Sequence, residues 1–403
     1  SDLLGFKSDF TIYDTANTKS VLKGVLKSLQ LEESTYKLNV VASRISMAKN
    51  NLVTPAAYAS NAITLTEDRE MRMPRLHEVY SRYAEECKKS SAMDFDDILL
   101  YTNILLRDHP DAAADLASHF DQICVDEYQD TNYAQYIIVK RLALPHRNIC
   151  VVGDDSQSIY AFRGARIENI LKFKKDWPES KVLKLEQNYR STQNIVLAAN
   201  SVIQKNHGRI DKECFSQGEK GDRVHLISAS SEQSEALLIA SSIKETIGRK
   251  GAAYKDFAIL YRTNAKSRAL EEALINQRIP HRILSGTSFF DRTEVKDMLA
   301  YFRLAVNPLD NEAFLRIINL PKRNLGGTTI DRLKVLAGSR NLSLMDAIAL
   351  DDNSLMGADI KSGAIKALRS FREMMLGFTS GIPATDADII ARPIEERVGL
   401  LAF

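Results

Sequence analysis

At 403 residues the chain is too long for one ordinary domain and long enough to bury several cores, so roughly two to four structural units are expected. Charged residues make up 26% and apolar ones 44%, the balance of a soluble globular protein, and no apolar run approaches bilayer-spanning length. The formal charge of +2 excludes a globally basic surface, so any nucleic-acid binding has to use a local groove.

The opening stretch Ser1–Phe6 lacks a basic region followed by an apolar core, and a cytoplasmic protein without membrane contact is predicted. Cys87, Cys124, Cys150 and Cys214 lie far apart, form no metal-ligand spacing and imply no disulfide framework; Cys124 and Cys150 are expected to be small buried hydrophobes inside strands. From Thr15 to Ser91 the pattern is helical, with Val21, Leu22, Val25, Leu26 and Leu29, then Val79, Tyr80 and Tyr83, recurring at intervals of three and four. The basic residues there, among them Lys37, Arg44, Lys49, Arg69 and Arg72, read as a solvated helical surface. Asp94 ahead of Phe95 predicts an N-capped helix over Met93–Leu106.

Ile123–Val125 is a short apolar run of strand type, followed directly by Asp126, Glu127, Tyr128, Gln129 and Asp130. A helix over Tyr133–Leu142 leads to a second strand, Ile149–Val152, and the polar loop Gly153–Ala165, then a helix over Ile167–Phe173. Gln187–Ser191 is a third polar cluster, opening a helix over Ile195–Ile203. Beyond a loop ending at Asp222, strands are predicted at Val224–Ile227, Phe257–Tyr261 and Pro280–Leu284, with helices at Glu235–Ile247 and Ser267–Asn276. From Arg292 the character is helix after helix, with Pro308, Pro321, Gly326 and Gly327 as turns. Alternating strands and helices predict an α/β fold with parallel sheets, whose ligands sit at the carboxyl ends of the strands.

The polar clusters suit phosphoryl chemistry. An aspartate such as Asp126 can hold Mg²⁺ through water, and a neighbouring Glu127 can orient and deprotonate a water for attack on phosphorus. Gln157 can report a γ-phosphate, and Arg190 can neutralise transition-state charge, a local salt bridge being its bland alternative. Tyr160, Phe162 and Arg163 combine aromatic and cationic groups on which single-strand bases stack, although a lone Phe162 is more often core. Tyr189 suits either core packing or an adenine platform.

These residues resemble the superfamily one DNA helicases of the UvrD, Rep and PcrA group. Asp126–Asp130 is similar to that family's Walker B element, Gly153–Ala165 to its third motif and Glu186–Ser191 to its fourth, with further matches at Phe10–Thr15, Asp94–Leu99, Ala258–Leu274 and Phe289–Leu304. The resemblance implies two RecA-like P-loop NTPase parallel sheets, both incomplete, with two inserted all-helical subdomains. Residues 1–15 and 93–184 are implied to form part of the first RecA-like domain and 16–92 its insertion. Residues 185–289 are implied to form part of the second, and 290–403 part of its insertion. ATP and Mg²⁺ are the implied cofactors: Asp126 binds the metal, Glu127 activates water, Gln157 senses the γ-phosphate, Tyr189 stacks on adenine and Arg190 contacts the γ-phosphate. Tyr160, Phe162 and Arg163 are implied to lie beside single-stranded DNA; many relatives carry tryptophan where this chain has Phe162, so weaker stacking is expected.

The implied activity is ATP-driven 3′-to-5′ translocation on single-stranded DNA and unwinding at duplex junctions, in company with DNA repair or replication proteins. Two departures bear on it. No G-x-x-x-x-G-K-[ST] occurs in the sequence, and the family's last helicase motifs are also absent. The expectation is an internal fragment that alone neither hydrolyses ATP nor unwinds DNA. The competing readings are a non-catalytic module binding single-stranded DNA or a protein, and, less favoured, a helicase-nuclease subunit.

Overall fold

Short polar side chains cap several of the helices in the computed structural model, which describes residues 2–263, 266–284 and 293–379. The matched segment starting at Phe289, the stretch around Asn264 and Ala265, and residues 380–403 lie in whole or part outside the described residues. The chain divides into two compact units. One holds residues up to Lys181 together with those from Thr293 onward, and the other spans Val182–Arg292.

In the first unit, β1 (Thr11–Tyr13) leads into α1 (Thr15–Ser28), where Asp14 accepts from the Asn17 amide at 2.8 Å and the Asn17 side chain reciprocates, a capping box. Its apolar stripe, Val21, Leu22, Val25 and Leu26, is buried as the spacing predicts. There follow α2 (Leu38–Asn50), α3 (Pro55–Ser60), α4 (Ala62–Glu70) and α5 (Leu76–Lys89), with Pro55 opening α3 behind a Thr54 cap. Leu76, Val79, Tyr80 and Tyr83 of α5 close over α1 and α2 to make one apolar core. Each such fully buried side chain contributes roughly 1.5–3 kcal/mol.

Next is β2 (Ala92–Asp94), a strand absent from the sequence expectation, paired in parallel with β1 so that Tyr13 lies opposite Asp94. Asp94 also caps α6 (Phe95–Asp108), as predicted, through a capping box with Asp97. Then come α7 (Pro110–Ser118), β3 (Ile123–Val125), α8 (Tyr133–Ala143) and β4 (Ile149–Val151), with β3 and β4 parallel and in register from Ile123 opposite Ile149. The predicted helix after the polar loop is split at Lys172 into α9 (Glu168–Leu171) and α10 (Phe173–Asp176).

Two expectations for this unit are corrected. Cys124 and Cys150 are exposed, directly opposite each other on a face that no described element covers, because the alternation of a strand turns Ile123, Val125, Ile149 and Val151 the other way. Lys49 is not a solvated helical charge but is fully buried, 2.7 Å from both Asp94 and Asp97.

The remaining described elements of this unit are helices, as expected: α14 (Thr293–Val306), α15 (Asn311–Ile317), α16 (Gly327–Ser339), α17 (Leu344–Ala347), α18 (Asp352–Gly357) and α19 (Ser362–Thr379). They share a core of Tyr301, Leu304, Phe314, Leu333, Leu368 and Phe371. Gly326 caps α16, whereas Gly327 is its first residue rather than a turn.

The second unit contains α11 (Gln193–Ile203), α12 (Glu232–Lys250) and α13 (Ser267–Asn276), the last spanning the predicted residues. Ala236, Ala240 and Ile243 pack on Ala273, Leu274 and Ile279. The predicted strands Val224–Ile227, Phe257–Tyr261 and Pro280–Leu284 are not formed; the backbone there makes no ladder, and the described pairing in this unit is one bridge between Gln187 and Phe215. Phe257 and Ile259 turn toward the helices while Leu226 and Leu260 face solvent, so the alternation is real but no neighbouring strand completes it. No described helix is long and apolar enough to cross a membrane.

Candidate functional site

The acidic turn forms where β3 ends. The ladder continues one step past the strands, Val152 donating to the Val125 carbonyl at 2.8 Å and Tyr128 to that of Val152 at 2.9 Å. Tyr128 is fully buried, edge-on to Phe173, and anchors the turn, leaving Asp126 and Glu127 at the surface. Glu127 sits in the left-handed region at φ 49, a conformation that costs a non-glycine residue on the order of 1–2 kcal/mol. Its amide donates to Asp126 Oδ1 at 2.9 Å, a local bond that supports the bend.

Gln129, 1% exposed, is a residue to which the sequence reading gave no role. Its Nε2 donates to Glu127 Oε2 at 2.7 Å, and its Oε1 accepts from the Asp154 amide at 3.0 Å. On the next loop Asp154 Oδ1 accepts from the Ser156 amide at 2.9 Å, and Asp154 Oδ2 accepts from Gln157 Nε2 at 2.8 Å. Gln157 is itself exposed. The sequence signal for Gln129 was Gly153, the small residue at the end of the neighbouring strand.

Farther along that loop, Tyr160 and Phe162 lie with ring centroids 6.1 Å apart, and the Arg163 guanidinium sits 5.0 Å from the first ring and 5.4 Å from the second. Phe162 is 76% exposed, so its core reading is excluded. Gly164 at φ +89 turns the chain back, and Arg166 donates its amide to the Thr131 carbonyl at 2.9 Å. Asn132, in a capping box with Gln135, donates to Asn50 on α2 at 2.6 Å, and Asn169 donates to Thr131 at 3.0 Å. These amides tie the aromatic loop to α2, α8 and the acidic turn.

Tyr189 and Arg190 belong to the second unit. Asn188 accepts from the amides of Arg190 and Ser191 at 3.0 and 2.8 Å, which presents both side chains outward. Tyr189 is 86% exposed, its hydroxyl donating to Gln187 at 3.0 Å, so core packing is excluded for it too. Among the described residues Arg190 makes no ion pair, so the bland alternative of a local salt bridge is not what holds it. Asp126 offers an exposed hard oxygen donor, which suits Mg²⁺, an ion that takes one or two carboxylates and otherwise keeps water and phosphate oxygens.

Parallel strands joined through helices, with acidic and amide groups at their carboxyl ends, place the chain in the RecA-like α/β class. The UvrD/REP helicase N-terminal domain family matches residues 1–178, and the UvrD-like helicase C-terminal domain family matches residues 183–368. The chain is 41% identical over 374 residues to the ATP-dependent DNA helicase PcrA of Leuconostoc citreum, covering 93% of this chain and 49% of that protein. It is 40% identical over 379 residues to PcrA of Bacillus subtilis, covering 94% of this chain and 50% of that one. The PcrA of Staphylococcus aureus strain Mu50 is 41% identical over 352 residues, which is 87% of this chain and 47% of that protein. The chain belongs to the UvrD/PcrA-type helicase family. It spans about half the length of the relatives it matches.

Proposed function

We propose that this chain is part of an ATP-dependent helicase that translocates 3′ to 5′ on single-stranded DNA and opens duplex junctions in repair or replication. The observation that carries the proposal is the acidic turn hydrogen-bonded to the loop of Gln157, with the exposed Tyr160, Phe162 and Arg163 on that same loop. Asp126 would hold Mg²⁺, which supplies charge neutralisation at the phosphates when bound. Glu127 orients and deprotonates the attacking water, Gln157 reads the γ-phosphate, Arg190 balances its charge and Tyr189 stacks on adenine. In this reading residues 1–15 and 93–184 form part of the first RecA-like domain, 16–92 its helical insertion, 185–289 part of the second and 290–403 part of its insertion.

The sequence contains no G-x-x-x-x-G-K-[ST], whose backbone amides and lysine cradle the β- and γ-phosphates. The chain by itself is therefore expected to show no ATP turnover, with or without a single-stranded oligonucleotide. Steady-state phosphate release checks this, with Glu127→Gln as the control. Stimulated turnover that the substitution abolishes would show the phosphate loop to be dispensable, and turnover that survives it would remove Glu127 from the chemistry.

DNA binding does not need the phosphate loop. Fluorescence anisotropy with a labelled single-stranded oligonucleotide is expected to show Phe162→Ala weakening binding by roughly 5- to 100-fold, the loss of one base–aromatic stack. Unchanged affinity would place the strand elsewhere. Binding indifferent to ATP in the intact chain would favour the second reading, a module that holds single-stranded DNA without turnover.

A further inference from the structure

We propose that Gln129 is a positioning residue that locks Glu127 to the Asp154–Gln157 loop, so that the two groups facing the γ-phosphate move as one. The inference rests on the reading of Glu127 as the water-activating group. The geometry is a relay: Glu127 carboxylate, Gln129 amide, Asp154, Gln157 amide, joined by hydrogen bonds of 2.7, 3.0 and 2.8 Å. Gln129 is the one member fully shielded from solvent. A carboxamide suits this place because its NH₂ must donate to an acceptor-only carboxylate while its oxygen must accept from a backbone amide. Glutamate would lack the donor and leucine would lack both groups.

Gly153 makes the arrangement possible. A Cβ there would come within 2.5 Å of Gln129 Oε1 and 2.8 Å of Ile170 Cδ1. The close approach of Gln129, rather than an unusual φ, therefore requires glycine at the end of β4. Glu127 is held in a left-handed conformation that its own bond to Asp126 only partly supports, and the Gln129 bond fixes the carboxylate's direction from the buried side.

The test follows the Asp154 amide, the proton that Gln129 accepts, by NMR hydrogen exchange in the full isotope-labelled chain. Glu127→Ala is expected to speed its exchange severalfold, because the amide of Gln129 loses one of its two anchors. Gln129→Leu is expected to speed it by roughly fivefold, the order of one hydrogen bond. In the Gln129→Leu background Glu127→Ala should then add nothing. Gly153→Ala should act as Gln129→Leu does with both partners present, because the added Cβ displaces the Gln129 oxygen that accepts from the Asp154 amide. An Asp154 amide insensitive to Glu127→Ala, or equally sensitive with and without Gln129, overturns the proposal. Turnover enters none of these arms, so an inactive chain leaves them readable, and loss of the catalytic role of Glu127 in the phosphate-release assay would leave the link itself standing.

Discussion

Replacing Lys49 with methionine is expected to destabilise the first unit by roughly 3–5 kcal/mol at neutral pH, the range for breaking a buried ion pair from one side. Among the described residues Lys49 is the one fully buried positive charge, and it faces buried carboxylates. Its ammonium lies 2.7 Å from Asp94 Oδ2 and 2.7 Å from Asp97 Oδ1, and over the Tyr83 ring at 4.7 Å. The Tyr83 hydroxyl donates to the same Asp94 oxygen at 2.7 Å. Through these bonds α2 and α5 are fastened to β2 and to the start of α6, so the defect falls where the helical part meets the sheet. Methionine fills the space of the lysine stem but leaves two carboxylates without a cation. Urea unfolding followed by circular dichroism measures the effect, and a loss below about 1 kcal/mol, the range of an exposed pair, would show that water reaches the site.

The sign of the pH dependence gives a second signature. Burial and the neighbouring Asp94 charge push Asp97 up to about 6, against the pull of Lys49. Burial would raise Asp94 too, but Lys49 and the Tyr83 hydroxyl outweigh it and hold Asp94 below the ordinary carboxylate range. A raised carboxyl binds its proton more tightly in the folded state, so its contribution grows as pH falls from 7 through about 6 and is complete below the unfolded value. Asp94 works in the opposite sense, its contribution being lost as pH falls through its depressed folded value. Lys49→Met removes the group that opposes protonation of both, so the variant should regain part of its stability between pH 7 and 5. Adding Asp97→Asn to Lys49→Met should flatten that recovery by removing one of the two acids.

The contrast between Lys49 and the residues that read correctly shows where sequence pattern stops. Capping is local: Asp94 lies three positions before its Asp97 partner, so the start of α6 was legible, as were the amphipathic stripe of α1 and the bounds of α13. The same Asp94 is also the acceptor for a lysine 45 positions away, and no periodicity carries that distance. The acidic turn was legible because a short apolar run ending in Asp126 and Glu127 is unusual in itself. The hydrogen bonds of Gln129 were not, since they depend on a glycine in the loop after a different strand. Strands in the second unit failed for a related reason. Alternation at Phe257–Tyr261 describes which way side chains turn, whereas a strand exists only when another backbone lies alongside it. Cys124 and Cys150 misled because an apolar run says that a strand is buried without saying on which face.

Asp310→Ala is expected to cost about 3–5 kcal/mol and to loosen two distant segments together. Asp310 is wholly buried and accepts four hydrogen bonds from three residues. Oδ2 accepts from Arg303 Nε at 3.0 Å and Nη2 at 2.7 Å, while Oδ1 accepts from the Tyr13 hydroxyl at 3.2 Å and from the Ala313 amide at 3.0 Å, capping α15. Arg303 also donates to Asn17 at 2.8 Å, and Asn307 donates to Thr11 at 2.9 Å and to the Ser90 carbonyl at 3.0 Å. Burial and the adjacent Asp310 charge push the Tyr13 hydroxyl well above its ordinary range, so it remains a donor and loses its acceptor in the variant. Loss of the cap alone would cost about 1 kcal/mol and affect only α15. The larger loss follows from leaving Arg303 without its counter-ion and Tyr13 without this acceptor where α14 meets β1 and α1. Hydrogen exchange distinguishes the two: faster exchange confined to residues 311–317 would mean a cap and nothing more, whereas coincident acceleration at 11–18 and 311–317 would show that this carboxylate fastens the late helices to the first strand. Asp310→Asn, which keeps an acceptor for the cap and for Tyr13 but not the charge facing Arg303, should fall between the two.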